Sequence, residues 1–408
     1  MRITPMKTTS LLICLTGLLL CTGPAMGQVS EEQRARLLTR FPRLDTNKDG
    51  RLTAEELQAF RESRRGSANS QRAGVSKTFK TDPGWEADKF PDHAVSYRSP
   101  EEIAAIYAKT LKGKGEPVTS YDKPADGSLR IVGTGHSFMA PGYKTVALIA
   151  RAAGLEQPPL VTHTGGGVKG STRYKWEQEN GIFQFDGKPT PKLLSSIANA
   201  QWDVMMWGPY RNDQPAYYTC WIDFCLKYNP DMKFYLADVW PQLAHIDPPP
   251  TSEDELTAEV LTRMGRKNRE AFIKAVGALN EKYPGRVHIL PACDAMVIAA
   301  QHYLRGELPG VEGLHKVLGK KERSLWRDRL GHLGPGFGNL EGYIFYATLY
   351  GRSPELIKGD VPFNDKGGYP SRELDRVFRK IAWQAVINHP LTGVTDQNGN
   401  GIDDKREK

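Results

Sequence analysis

The chain reads as an α/β protein of three layers, with helices on both faces of a five-stranded parallel sheet. Two observations predict this. Five apolar runs of strand length recur between residues 129 and 290, and segments of helical periodicity lie between and after them. Strands that alternate with helices pair in parallel, because each strand must be reached by a crossover, and the crossover helices then cover both faces.

A helix over 100–111 opens the domain. The first strand is placed at 129–132, followed by a helix over 144–153 and a second strand at 160–162. A helix over 191–200 leads to the third strand, 203–207, and one over 217–228 to the fourth, 233–239. A long helix over 252–283 precedes the fifth strand, 286–290, and helices over 339–350 and 371–388 close the domain. In such a sheet the ligand crevice lies off the carboxyl ends of the strands, so the loop after each run is where chemistry is sought.

With 408 residues, 39% hydrophobic and 25% charged, the chain can bury a large core and is neither collagen-like, disordered nor multi-spanning. Its 55 Lys and Arg against 47 Asp and Glu give a net charge of +8. That excess is spread along the chain, which argues against nucleic-acid binding and suits a protein that meets anionic polymers. Arg2 and Lys7 precede the apolar run 11–20, and small residues Ala25 and Gly27 follow it. This reads as a signal peptide over 1–27: the run is too short to span a bilayer, and Leu20 beside Cys21 is bulkier than a lipidation signal wants. The expectation is a secreted or periplasmic protein with no membrane partner after cleavage. Cys220, Cys225 and Cys293 remain, read as small buried hydrophobes with at most one disulfide.

Residues 28–62 read as helix, loop, helix, and 63–98 as a polar linker, which places the main domain at 99–390 and an acidic tail at 391–408. The first loop sets oxygen donors Asp45, Asn47, Asp49, Thr53 and Glu56 at positions 1, 3, 5, 9 and 12, with Gly50 at 6 and Leu52 at 8. Calcium needs six to eight oxygens, and this spacing wraps one ion, Arg51 giving its carbonyl and Glu56 both carboxylate oxygens. The segment resembles an EF-hand, and Ca2+ is the one cofactor expected. In the tail, Asp396, Asn398, Asn400, Gly401 and Glu407 occupy positions 1, 3, 5, 6 and 12, but the apolar residue, Ile402, comes one place early. A degenerate calcium loop and a plain polar tail are both open readings.

The first strand runs into Gly133-Thr134-Gly135-His136-Ser137-Phe138, which puts Ser137 just off a strand end. A serine there is a weak nucleophile without a base. Met139 stands where the nucleophile elbow G-x-S-x-G carries its last glycine, so an ordinary α/β-hydrolase is disfavoured. A base candidate, His332, sits in a glycine-rich loop with Asp328 four residues before it to orient its imidazole. His163 and His245 follow strands too, but with no third ligand at a compatible spacing they read as structural. Tyr174, Trp176, Trp207, Tyr210 and Trp240 fall towards the crevice, where rings stack on sugar faces or pack in the core.

The block at 135–138, with Asp328, His332 and the helical stretch after them, resembles the SGNH (GDSL-type) hydrolase superfamily over about residues 127–390. The resemblance implies a flavodoxin-like sheet, Ser137 as nucleophile, His332 as general base and Asp328 as its orienter. It also implies an oxyanion hole from the Ser137 amide, Gly167 after the second strand and Asn212 after the third. This chain departs from the pattern in three places. His136 replaces the usual Asp or Asn, Gly208 to Asn212 is two residues longer than G-x-N-D, and the last block is D-x-x-x-H. The expected function is a secreted, calcium-binding serine esterase acting on a small-molecule or polysaccharide ester, an acetyl group among the candidates. The alternative is a calcium-binding scaffolding protein whose hydrolase-like fold has lost activity.

Overall fold

The computed structural model describes residues 51, 53, 56, 119–164, 174, 183–185, 188–190, 192–209, 214–240, 242–363 and 368–407. Contacts divide the chain into two units, 1–76 and 77–408. In the first, Thr53 and Glu56 make a reciprocal cap: the Thr53 N–H and Oγ1 donate to Glu56 Oε2 at 3.0 and 3.1 Å, and the Glu56 N–H donates to Thr53 Oγ1 at 3.1 Å. The leader, the linker, the helix expected at 100–111 and the ligands Asp45, Asn47 and Asp49 lie outside the described residues.

The second unit is built on β1 (Ile131–Gly135), β2 (Val161–Thr164), β5 (Val204–Gly208), β6 (Lys233–Ala237) and β7 (Val287–Leu290), in spatial order β2-β1-β5-β6-β7. Every pairing among them is parallel. A short antiparallel pair, β3 (Phe183–Phe185) and β4 (Lys188–Thr190), stands apart from this sheet. The helices are α1 (Met139–Ala152), α2 (Lys192–Asn199), α3 (Ala216–Tyr228), α4 (Ala258–Lys282) and α5 (Ala292–Leu304). After α5 come β8 (Gly313–His315), α6 (Lys316–Gly319), the β8 partner β9 (Ser324–Trp326), α7 (Phe337–Tyr350) and α8 (Arg372–Asn388). The predicted α/β class with its five-stranded parallel sheet is the observed one. The chain reverses direction across the sheet between β1 and β5, and a crevice opens at such a reversal.

The five predicted runs fall on these strands because β1 and β5 are buried at every residue, so their apolar content is continuous rather than alternating. The helix expected over 252–283 begins later. Thr257 caps α4 by accepting the Val260 N–H, and residues 253–255 form a separate 3₁₀ turn. Helix α5 was not anticipated, since Ala292, Cys293, Ala295, Met296, Ala299 and Ala300 are all buried and leave a weak polar stripe. The three cysteines are free and buried, as read.

Helix α7 is buried along nearly its whole length and packs against α1 and α8. The approach to α1 is so close that a Cβ at Gly142 would strike the Phe345 ring, and one at Gly342 would strike Thr145. In this contact the Gly142 N–H, in the first turn of α1, donates to Glu341 Oε2 at 2.7 Å. The C-terminal loop docks on the other end of α7. Ser353 N donates to the Gly401 carbonyl at 2.7 Å, Asp403 N to the Gly351 carbonyl at 2.8 Å, and Arg406 Nη2 to the Leu349 carbonyl at 2.9 Å.

Burial pushes the Glu341 carboxyl up to about 8. The unfolded chain releases this proton near the ordinary Glu value of ~4.3, so stability is full below that pH and declines as pH rises towards about 8. Glu341→Gln keeps an acceptor for Gly142 and has no proton to lose. Its advantage over wild type in thermal melts should widen with pH across this window, to on the order of a few kcal/mol. A gap that stays constant with pH would refute the assignment.

Candidate active site

Ser137 lies two residues past β1, in the turn that enters α1. Met139 N donates to the His136 carbonyl at 3.2 Å and Ala140 N to the Ser137 carbonyl at 3.3 Å, so the helix starts directly under the serine. The strand ends beneath it are pressed together. Gly135 pairs with Gly208 of β5, has a φ of +144°, and a Cβ on it would sit 2.7 Å from the Gly208 nitrogen. Ser137 itself is exposed.

The partner loop follows β9. Arg327 N donates to the His332 carbonyl at 2.8 Å and Gly334 N to the Leu325 carbonyl at 2.7 Å, which closes a hairpin-like loop around residues 328–331. Inside it, Gly331 N donates to the Asp328 carbonyl at 2.9 Å, with Gly331 at a φ of +85° that favours glycine. Asp328 Oδ1 accepts the Leu330 and His332 amides at 3.1 and 3.2 Å. These bonds absorb the extra residue of D-x-x-x-H and leave Oδ2 facing the ring.

His332 Nδ1 is 2.8 Å from Asp328 Oδ2, and its Nε2 is 2.6 Å from Ser137 Oγ. A ring nitrogen facing a carboxylate carries the proton, so Nδ1–H donates to Asp328 and Nε2 is the acceptor for the serine hydroxyl. Two segments 195 residues apart thus meet in one hydrogen-bonded chain. The His332 side chain is 17% exposed and Asp328 41%, so the imidazole is sheltered while the carboxylate reaches water.

An aromatic group holds the loop in place. Phe138 meets the His332 ring edge-on at 4.9 Å and stacks on Trp240 at 4.8 Å with 2° between planes. Trp240 Nε1 then donates to the Gly331 carbonyl at 2.6 Å. Sequence reasoning placed Trp240 near the crevice but not in this role; its position just past β6, opposite a glycine-rich loop, was the available signal.

Gly167, Asn212, Trp176 and Tyr210 lie outside the described residues. Tyr174, Trp207 and Trp240 are buried, and Trp207 stacks on Phe234 at 5.3 Å, so these three rings pack the core and offer no face to a sugar. His163 is buried in β2, and His245 is exposed, its Nδ1 accepting the Gln242 N–H at 3.3 Å. Among the described residues no group of three or more His, Cys, Asp or Glu is placed to hold a metal ion.

The C-terminal loop is ordered by its own oxygens. Asp396 accepts the Asn400 and Gly401 amides at 3.1 and 3.0 Å and the Trp383 Nε1–H at 3.0 Å. Asn398 and Asn400 each turn a side-chain amide to Glu407, at 2.9 and 2.5 Å. Positions 1, 3, 5 and 12 therefore sit in one compact loop. Its oxygen-only donors fit calcium chemistry, and a cation would exchange those amide nitrogens for their oxygens.

No family model matches the sequence, and no curated protein matches it. Among solved structures, the chain is similar to a DUF4886 family protein from Bacteroides uniformis ATCC 8492, at 13% identity and a TM-score of 0.42 over 64% of this chain and 95% of that one. It is also similar to a Streptococcus pneumonia protein provisionally described as a platelet activating factor, at 10% identity and a TM-score of 0.32 over 62% and 92%. At these scores neither likeness carries an argument, and the chemistry rests on this chain's own residues.

Trp240→Phe keeps the stack on Phe138 and removes the donor to Gly331. The orphaned carbonyl should cost about 1–3 kcal/mol in denaturant unfolding. Unchanged stability would show that the indole bond does not hold the loop.

Proposed function

We propose that the protein is a serine hydrolase that cleaves esters through an acyl-enzyme on Ser137. One observation carries the reading: the unbroken chain from Ser137 Oγ to His332 Nε2 at 2.6 Å and from His332 Nδ1 to Asp328 at 2.8 Å. His332 takes the hydroxyl proton as Oγ attacks the ester carbonyl. The tetrahedral intermediate collapses with that proton passing to the departing alcohol. A water, deprotonated by the same ring, then releases the acid and restores the serine. Asp328 holds the imidazole in the tautomer this needs and stabilises the imidazolium between steps. The oxyanion donors are assigned to the Ser137 amide, Gly167 and Asn212 by the family resemblance alone.

The substrate class is an ester on a small molecule or a polysaccharide, with short acyl groups such as acetyl foremost. A leader of the kind read over residues 1–27 would carry this activity outside the cytoplasm. Purified protein should hydrolyse p-nitrophenyl acetate and react with a fluorophosphonate, and Ser137→Ala should abolish both. Asp328→Asn should lower kcat by on the order of 10³ to 10⁴ with the fold intact, since the ring loses its orienter. Full turnover in Ser137→Ala sinks the assignment, and wild type inert to the fluorophosphonate leaves the alternative, a calcium-binding protein on a silent hydrolase-like fold.

Two calcium sites accompany the hydrolase. Asp45, Asn47, Asp49, the Arg51 carbonyl and Glu56 would hold one ion, and Asp396, Asn398 and Asn400, with Glu407, another. The second is supported by the convergence of Asn398, Asn400 and Glu407. A ligand that binds only the native state raises its melting temperature, so calcium should raise that of wild type. Glu56→Gln and Glu407→Gln should each remove part of the rise; if neither does, the sites are elsewhere or absent.

A further inference from the structure

His136 departs from the Asp or Asn of the resembling family, and the structure gives that departure a use. The residue is buried, and both of its ring nitrogens are engaged. Nδ1 accepts the Phe138 N–H at 3.2 Å, and Nε2 lies 3.1 Å from the Pro209 carbonyl. A ring nitrogen that accepts an amide N–H carries no proton, whereas one that faces a carbonyl must carry one. The bonds therefore assign a neutral imidazole with its hydrogen on Nε2.

The first bond reproduces an Asx turn, in which an Asp or Asn oxygen accepts the N–H two residues on. The second has no counterpart there. An aspartate has nothing to donate, and an asparagine amide stops short of where Nε2 reaches. This bond crosses from the exit of β1 to the exit of β5, the two strands between which the sheet reverses order. Its acceptor, Pro209, follows the last residue of β5 and leads into residues 210–213, which contain Asn212.

Packing leaves little slack around this bond. A Cβ on Gly208 would collide with Met139 and come within 3.2 Å of His136 Nε2. The ring also meets Phe138 edge-on at 5.2 Å, and Phe138 in turn packs on His332. A shift of His136 would therefore be felt at both the serine turn and the base.

The geometry points to His136 as a positioning residue. One neutral imidazole ties the Ser137 turn to the exit of β5, and so fixes the turn that carries the nucleophile against that strand end. The inference rests on the hydrolase reading above. It predicts a loss confined to the chemical step, because small displacements of transition-state donors cost rate more than substrate binding.

Two variants separate the two bonds, since an Asn amide overlays Nδ1 of a histidine and a Gln amide overlays Nε2. His136→Asn keeps the Phe138 acceptor and loses Pro209; His136→Gln keeps the donor to Pro209. With p-nitrophenyl acetate, His136→Asn should lose about tenfold or more in kcat at little-changed KM, and His136→Gln should recover most of that loss. Melting temperatures for both should stay within about 5 °C of wild type. Wild-type kcat in His136→Asn, or a Gln variant no better than Asn, overturns the proposal. Independently of turnover, ¹⁵N NMR of wild-type protein at neutral pH should find His136 neutral and protonated at Nε2. A charged or Nδ1–H ring overturns the tie even where the variants fail to fold. If wild type hydrolyses no ester, the hydrolase reading fails while the tautomer still judges the tie.

Discussion

Gly135 and Gly208 face each other at the ends of adjacent parallel strands, with no room for a Cβ on either. The serine half of the site is built on that closeness. The turn after β1 starts a helix at once, so Ser137 is exposed just past the strand end while its neighbours His136 and Phe138 are buried on either side of it. Parallel strands end on one side of the sheet, so whatever follows β1, β5 and β6 gathers there whatever its distance in sequence. Trp240, just past β6, belongs to that gathering as much as the serine does.

The second half of the site arrives by another route. His332 sits in a loop that leaves β9, outside the five-stranded sheet, and its position depends on backbone bonds within the loop and on the Trp240 indole. An imidazole within 2.6 Å of a hydroxyl demands placement to a few tenths of an ångström. A loop supplies that only when its amides are satisfied internally, and Asp328 does this by binding two amides with one oxygen and the ring with the other. Orientation of the imidazole and order of the loop are thus one interaction.

Helix α7 carries the consequence through the domain. Its first turn begins five residues after His332, and its C-terminal end receives the C-terminal loop through Leu349 and, just past the helix, Gly351 and Ser353. Between these ends it is sealed against α1, the helix that starts under Ser137. A helix buried on all sides has no sliding freedom, because interiors are close-packed and every displacement meets a neighbour.

Much of this was legible in the residues. Continuous apolar runs marked the strands, since burial on both faces leaves no alternation to disguise them, and glycines around Ser137 and His332 marked turns that no other residue makes cheaply. Helix α5 was not legible because a helix buried on most of its surface loses the stripe that announces it. The crevice-side rings stayed open between sugar stacking and core packing for a related reason: period and composition place Trp207 and Tyr174 on a strand or helix without saying which face meets water. What the sequence determined alone is the class of fold, the order of its elements and the residue types that could do chemistry. What only the tertiary structure decided is which of them meet. The 2.6 Å contact between Ser137 and His332, the two bonds of His136 and the Trp240 brace depend on distances between strand ends and loops, and chain periodicity records direction along an element but not separation across a crevice.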